Sequence, residues 1–290
     1  MVQTEKPTAE QVKNIISSTL LETATSVTDT SKGCDQHVFV VETTKRSVVI
    51  KFSKEEDKLF PEAFATSKLQ GIVPVPKLLY FHDDFLIQEF IPGKDLEDEK
   101  VSEEEWKSIF FQLGTFLKKM HSIKLEGFGK LNKEGQGAVA SWKENIHFWL
   151  EKELKRFEEV EVLSGTELNT FKQYLTDNEP FLETNESVLL HCDVEGWNIR
   201  INNKEISGII DFGDCEAGPA MYDFARCYLH HFDDGGFDAM RAGYGFVDQD
   251  QIKYYAALLA TWMIPHHMKN NNTALVLKEQ AALQRILKKE

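Results

Sequence analysis

Apolar residues follow one rhythm in the first third of the chain and another afterwards. Up to about residue 92 they fall in short runs. His37–Val41 and Ser47–Phe52 read as strands joined by a turn at Thr43–Arg46, and Phe85–Phe90 reads as a buried strand broken by Ile91-Pro92-Gly93. Two helices are predicted beside them. One is opened by the capping box Thr8-Ala9-Glu10-Gln11 and runs to about Glu22; the other spans Pro61–Gln70, with proline in its first turn. Beyond Pro92 the pattern turns helical. Ser102-Glu103-Glu104-Glu105 is a second capping box, followed by apolar residues at Trp106, Ile109, Phe110, Leu113, Phe116, Leu117 and Met120, the stripe of a helix facing a core. Trp142–Val160, Thr166–Leu175, Pro219–Leu229, Asp248–Met268 and Thr273–Lys289 read as further helices, whereas the Gly-rich Leu125–Gly137 and the acidic Phe232–Phe237 read as loops. A boundary near Pro92 divides the chain into residues 1–92 and 93–290.

One stretch after residue 187 breaks the helical rhythm. The run Val188-Leu190 delivers His191-Cys192-Asp193 into a loop, and Asn198–Ile201 and Glu205–Ile210 form a predicted hairpin turning at Asn202-Asn203. The hairpin brings Asn198 and Asp211 together, with Asp193 in the loop before them. An amide oxygen and a carboxylate suit Mg²⁺, a hard cation that shares oxygen ligands with phosphates. A second carboxylate is left to orient a hydroxyl and take its proton. The chain reads H-C-D-x-x-x-x-N and then D-F-G, against the H-R-D-x-x-x-x-N and D-F-G of kinase phosphoryl transfer.

Composition narrows the field. The 290 residues suffice for one large domain or two lobes, twenty phenylalanines argue against disorder, and a formal charge of −14 with no basic block excludes nucleic acid as an expected partner. Cys34, Cys192, Cys215 and Cys227 form no C-x-x-C pair, no signal-peptide core is present, and the apolar run around Tyr255–Ile264 is too short to span a bilayer. No membrane association and a reducing cytoplasm are therefore expected. No G-x-x-x-x-G-K-[ST] occurs, which excludes a P-loop enzyme. The polar loop Thr28–Gln36 carries one glycine but no G-x-G-x-x-G; it is placed to cover nucleotide phosphates, but such a stretch is more often a plain turn.

Val48-Val49-Ile50-Lys51, the Glu62-bearing helix, the H-C-D-x-x-x-x-N loop and D-F-G, in that order, resemble the aminoglycoside phosphotransferase family, small-molecule kinases with a protein-kinase-like fold. The resemblance implies an α+β, bilobal fold with a small antiparallel-sheet N-lobe that binds nucleotide, a larger helical C-lobe with the catalytic loop, and a cleft between them. It implies transfer of the γ-phosphate of ATP or GTP, with Mg²⁺, to a hydroxyl of a small molecule, and antibiotic resistance is among the family's roles. It implies Asp193 as catalytic base, Asn198 and Asp211 as Mg²⁺ ligands, Lys51 as the α/β-phosphate contact and Glu62 as its orienter, with Glu55 and Glu56 as rivals. Gln88, Glu89, Phe90 and Ile91 are implied to form the hinge that holds the base. His191 and Asp223 take supporting roles. One departure is Cys192, where the family usually has Gly. The negative charge favours a cationic acceptor such as an aminoglycoside. Glu195, Glu216, Asp233, Asp234 and Asp238 either line an acidic acceptor pocket or form a solvated surface. Choline, ethanolamine or a sugar as acceptor, and an idle nucleotide-binding protein, stay open. A metallohydrolase built on His191, Cys192, Asp193 and the pairs His230-His231 and His266-His267 is disfavoured, because no H-x-x-x-H appears and adjacent helical histidines point apart.

Overall fold

The computed structural model describes residues 5–31, 36–53 and 58–288. In chain order it begins with helix α1 (Ala9–Leu20), strands β1 (Ala24–Asp29), β2 (Gln36–Thr43) and β3 (Ser47–Ser53), helix α2 (Leu59–Leu69), and strands β4 (Leu78–His82), β5 (Phe85–Glu89) and β6 (Lys94–Asp95). Next come α3 (Glu103–Met120), β7 (Phe128–Leu131), β8 (Gly137–Val139), α4 (Trp142–Glu159), α5 (Gly165–Asp177) and β9 (Val188–Leu190). The hairpin β10 (Ile199–Asn202) and β11 (Glu205–Ile209) leads to β12 (Glu216–Gly218), followed by α6 (Tyr222–His231), α7 (Gly236–Tyr244), α8 (Gln249–Lys269) and α9 (Thr273–Lys288).

The chain folds into two compact units, Met1–Glu99 with Gly196–Cys215, and Lys100–Glu195 with Glu216–Glu290. The hairpin 196–215, expected in the second lobe, thus groups with the first unit. The reason is strand pairing: β10 pairs with β11 and with β6, Arg200 opposite Asp95. Gly93 makes that close approach possible, since it has φ +123° and a Cβ there would lie 2.3 Å from the Ile201 carbonyl oxygen.

The first unit is built on an antiparallel sheet in the order β1-β2-β3-β5-β4. Alternation sorts β3 between two faces. Val48, Ile50 and Phe52 pack with Phe39 and Val41 of β2, Ile87 of β5, and Val12 and Ile16 of α1. Val49 and Lys51 take the opposite parity and so the other face. Thr8 caps α1 through both arms of the predicted capping box.

The second unit is mainly helical. Ser102 forms the predicted capping box at the start of α3. Every residue of α6 is buried, and α8 is buried from Tyr254 through Thr261. Such helices belong at the centre of a helical layer. Helices α3 and α7 cross at two glycines. A Cβ at Gly114 would lie 1.9 Å from the Met240 carbonyl oxygen, and one at Gly243 would lie 2.0 Å from that of Phe111. Two expected loops are corrected here. Leu125–Gly137 contains β7 and the first residue of β8, which join a sheet in the order β8-β7-β12-β9. The stretch after Phe232 turns and starts α7 at Gly236.

Candidate active site

Lys51 sits on the β3 face opposite the α1 core, so its ammonium points away from the apolar cluster. Helix α2, with Pro61 and Glu62 in its first turn, brings a carboxylate to it. Lys51 Nζ lies 2.8 Å from Glu62 Oε1 and 3.2 Å from Asp211 Oδ1. Glu62 is fully buried and Lys51 nearly so. Burial alone would push the lysine down, but Asp211 and Glu62 more than offset it, and the ammonium is held above its ordinary range. Burial pushes Glu62 up despite Lys51. The rival residues Glu55 and Glu56 lie outside the described residues.

The same face forms one wall of a cavity of about 870 Å³ contained in the first unit. Val38, Val40 and Val49 line it next to Lys51, in a register that sets Val40 opposite Val49 and Val38 opposite Lys51. The four expected hinge residues also line it, in different ways. Gln88 is buried. Glu89 spends its side chain on Arg46 at 3.1 Å, and its N–H donates to the Lys77 carbonyl at 2.9 Å. Phe90 N–H is bonded to the Ser47 carbonyl, whereas no described residue accepts the Ile91 N–H. Ile91 packs over Gly208, where a Cβ would lie 2.2 Å from Ile91 Cδ1. Thr28, Thr30 and Gln36, at the described ends of the Gly-containing loop, line the cavity as well.

The hairpin forms as expected, but its turn lies one residue later than predicted, at Asn203-Lys204 with φ of +52° and +67°, because Asn202 still pairs with Glu205. Ile199 pairs with Ile209, and Ile210 N–H donates to the Asn198 carbonyl at 2.9 Å, which ties the two hairpin ends together. Asn198 is buried. The Asp211 carboxyl is 45% exposed and so reachable from the cavity that it lines. Its φ of +65° is left-handed, a conformation that Asp tolerates better than most residues and that strained functional loops often use. An amide oxygen, a half-exposed carboxylate and a neighbouring ammonium suit Mg²⁺ carrying phosphates.

In the second unit, fully buried β9 ends at the loop His191-Cys192-Asp193. Asp223, in the first turn of α6, braces this loop. Its Oδ2 accepts the His191 N–H at 2.9 Å and its Oδ1 the Cys192 N–H at 2.8 Å. Its Oδ2 also meets His121 Nε2 at 3.0 Å. Burial would raise this carboxyl, but His121 and the backbone donors more than offset it, and it is held below the usual carboxylate range. His191 accepts the Asp193 N–H through Nδ1 at 3.2 Å. One turn beyond Asp223, Arg226 reaches Asp193 Oδ1 at 2.9 Å. Arg226 was not among the residues singled out from sequence. The available signal was its position three residues after Asp223, which puts both on one helix face.

The acidic residues expected around an acceptor each have a local partner. Glu195 is buried, 2.6 Å from His230 Nδ1 and 3.5 Å from His231 Nε2. Burial would raise it, yet the two histidines hold it well below the carboxylate range. Asp234 is bound to His231 and to the Trp106 indole, Asp233 to Arg285, and Asp238 to Arg241. Glu216, on β12, accepts from the Asn145 amide. These carboxylates are engaged in local pairs, so the residues that would recognise an acceptor are not identified by negative charge alone.

A buried lysine–glutamate pair on a cavity wall, an Asn/Asp-bearing hairpin and a braced loop carboxylate on an α+β fold define a kinase-like phosphotransferase. The chain belongs to the phosphotransferase enzyme family, whose sequence pattern matches residues 26–259. It is 25% identical over 216 residues to an aminoglycoside 3'-phosphotransferase of Niallia circulans, covering 69% of this chain and 77% of that one. Its fold is similar to a thermostable mutant of aminoglycoside phosphotransferase APH(4)-Ia in ternary complex with AMP-PNP and hygromycin B, with TM-score 0.72, 14% identity and coverage of 97% and 98% of the two chains. It is also similar to APH(2")-IIa in ternary complex with streptomycin and ATP, with TM-score 0.68, 19% identity and coverage of 96% and 99%. No helix among the described residues is long and apolar enough to cross a membrane.

Proposed function

We propose that the chain transfers the terminal phosphoryl group of ATP or GTP to a hydroxyl of a small cationic acceptor of the aminoglycoside class. The observation that carries this reading is Lys51, held between Glu62 and Asp211 on the wall of the 870 Å³ cavity. In that place the ammonium binds the α- and β-phosphates, Glu62 keeps it pointed at them, and the backbone around Glu89–Ile91 holds the base. The donor set at the hairpin ends fits Mg²⁺, with Asn198 and Asp211 as the residues that would hold it; when bound, it neutralises the charge on the phosphates. Asp193 orients the acceptor hydroxyl and takes its proton as the acceptor oxygen bonds to the γ-phosphorus and the bond to the bridging oxygen breaks. Residues 1–92 with the hairpin serve nucleotide binding, and the remainder carries the catalytic loop and the acceptor. The acceptor class rests on the names of the relatives and on the net charge of −14.

An ADP-release screen over aminoglycosides, amino alcohols and sugars, with ATP and GTP in parallel, tests the reading. Release that requires both Mg²⁺ and an aminoglycoside is the expected result. Release with an amino alcohol or sugar alone reassigns the acceptor. A folded protein that binds no nucleotide overturns the kinase assignment.

A further inference from the structure

Phosphoryl transfer leaves one buried cluster in the second unit unexplained. His230 on α6, His267 on α8 and Glu279 on α9 each offer a ligand atom, and these atoms lie within 4.8 Å of one another. Glu279 Oε1 is 2.9 Å from His230 Nε2 and 2.7 Å from His267 Nδ1. On its other side, His230 Nδ1 lies 2.6 Å from Glu195. His230 and Glu279 are buried, and the His267 side chain is 12% exposed.

We infer that His230, His267 and Glu279 form a binding site for a first-row divalent cation of the zinc type. Two imidazoles and one carboxylate are a common zinc donor set. A nitrogen-rich set selects Zn²⁺ or Co²⁺ over Mg²⁺ and Ca²⁺. Glu195 occupies the place of the carboxylate that, in such sites, fixes a ligand histidine by accepting its second N–H. Its bond to Nδ1 leaves Nε2 of His230 facing Glu279. A separate observation points the same way. Glu279 Oε2 is buried and makes no hydrogen bond with any described residue, an arrangement that buried polar atoms normally avoid. A cation bound through Oε1, with Oε2 as a longer second contact, would satisfy it. Metal bonds of about 2.0–2.2 Å in a tetrahedral set place ligand atoms roughly 3.3 Å apart, so the present 2.7–2.9 Å contacts need to open by only about half an ångström. The cation would replace the protons now lying between the rings and Oε1. The exposed edge of His267 provides an entry. With its ligands on three helices and almost no solvent access, such a site is structural: it would tie the C-terminal α9 to α6 and α8.

The test uses untagged full-length protein, stripped with chelator and kept in millimolar Mg²⁺ so that the phosphate site does not take up zinc. Zn²⁺ is titrated calorimetrically, and Co²⁺ is followed by its visible absorption. One equivalent per chain, a tetrahedral Co²⁺ spectrum and a rise in Tm of about 5 °C at a hundredfold excess over Kd are expected. His267→Gln, at the partly exposed ligand, should abolish all three while the protein stays folded; Glu279→Gln should do the same. His147→Gln, at an exposed histidine on α4, should change none of them. Absence of binding by the wild-type chain at about 100 μM free Zn²⁺, far above the Kd of structural zinc sites, overturns the inference, and so does full binding retained in His267→Gln.

Discussion

Arg226 Nη1 lies 2.9 Å from Asp193 Oδ1, and its guanidinium stacks over the Trp262 ring at 5.6 Å from the ring centre. The carboxylate expected to meet the acceptor hydroxyl is therefore held by a cation that is itself fixed on both sides. Arg226→Lys keeps the charge but loses the planar fork and the stacking. Misplacement of a reacting group by about 1 Å costs on the order of 10²-fold, so kcat should fall on that scale while nucleotide Kd stays unchanged. Steady-state rates beside nucleotide calorimetry decide it. A variant with normal kcat would show that Asp193 is positioned by its loop alone.

Asp193 and Asp211 should fail differently. Asp211 lies 3.2 Å from Lys51 at the end of the hairpin that carries Asn198. Asp211→Asn should weaken Mg-nucleotide binding along with turnover. Asp193→Asn should keep near-normal nucleotide affinity and lose about 10²–10⁴-fold in rate, the usual contribution of a positioned base. Calorimetry that finds binding abolished only in Asp193→Asn would reverse the assignment.

Removing Lys51 alone should affect more than nucleotide binding. Lys51→Met leaves Glu62 buried without its cation, and breaking a buried pair costs about 3–5 kcal/mol. The double variant Lys51→Met/Glu62→Gln should recover much of that stability in a urea melt without recovering activity. If both variants are equally destabilised, the pair is not coupled as the geometry implies.

Cys192 has a φ of +66°, in the left-handed region that costs most residues about 1–2 kcal/mol and glycine none. Part of that gain is offset by glycine's greater freedom in the unfolded chain, about 0.5–1 kcal/mol. Cys192→Gly should therefore leave stability unchanged or raise it by up to about 1 kcal/mol, with the Asp223 bonds intact. A loss above that size in a denaturant melt would mean that the thiol makes a contact the loop needs.

Asp223 should make stability depend on acid. Its folded-state pKa lies below the ordinary value of 3.8. Its contribution is thus complete above pH 3.8 and is lost as pH falls through the lower folded value. Asp223→Asn should cost about 1–3 kcal/mol at neutral pH by weakening bonds to two backbone N–H groups and His121. The gap to wild type should narrow below pH 3.8. A gap that stays constant from pH 6 to pH 2.5 would exclude a charge-based role.

The parts read most directly from sequence were those in which a short local pattern carries the geometry. Two β-branched runs around a polar turn signal the hairpin that brings Asn198 and Asp211 together, although the turn itself falls at Asn203-Lys204. Glycine is the least legible signal in this chain. Around residues 127–137 it signals close strand approach, not a loop: a Cβ at Gly137 would lie 2.1 Å from the Phe128 nitrogen. Strand β1, Ala24–Asp29, is half-exposed and polar and lacks an apolar alternation to announce it. Glu195 reads as a surface acid from its neighbours. Its true partners, His230 and His231, are 35 and 36 positions away, a distance that no local pattern spans.

The chain crosses from one compact unit to the other at residues 99–100, 195–196 and 215–216. Synthesis proceeds from the N-terminus, and domains generally fold as they emerge. Here the first hundred residues emerge without the β10 partner of β6 and without the Asp211 partner of Lys51. A nascent chain must hold an unfinished sheet, with a buried lysine lacking one of its two anions, until some 215 residues have been made. Expression of residues 1–99 alone is accordingly a poor route to a nucleotide-binding fragment, and a single-chain splice of 1–99 to 196–215 is the shorter unit that carries all of its own strand pairs.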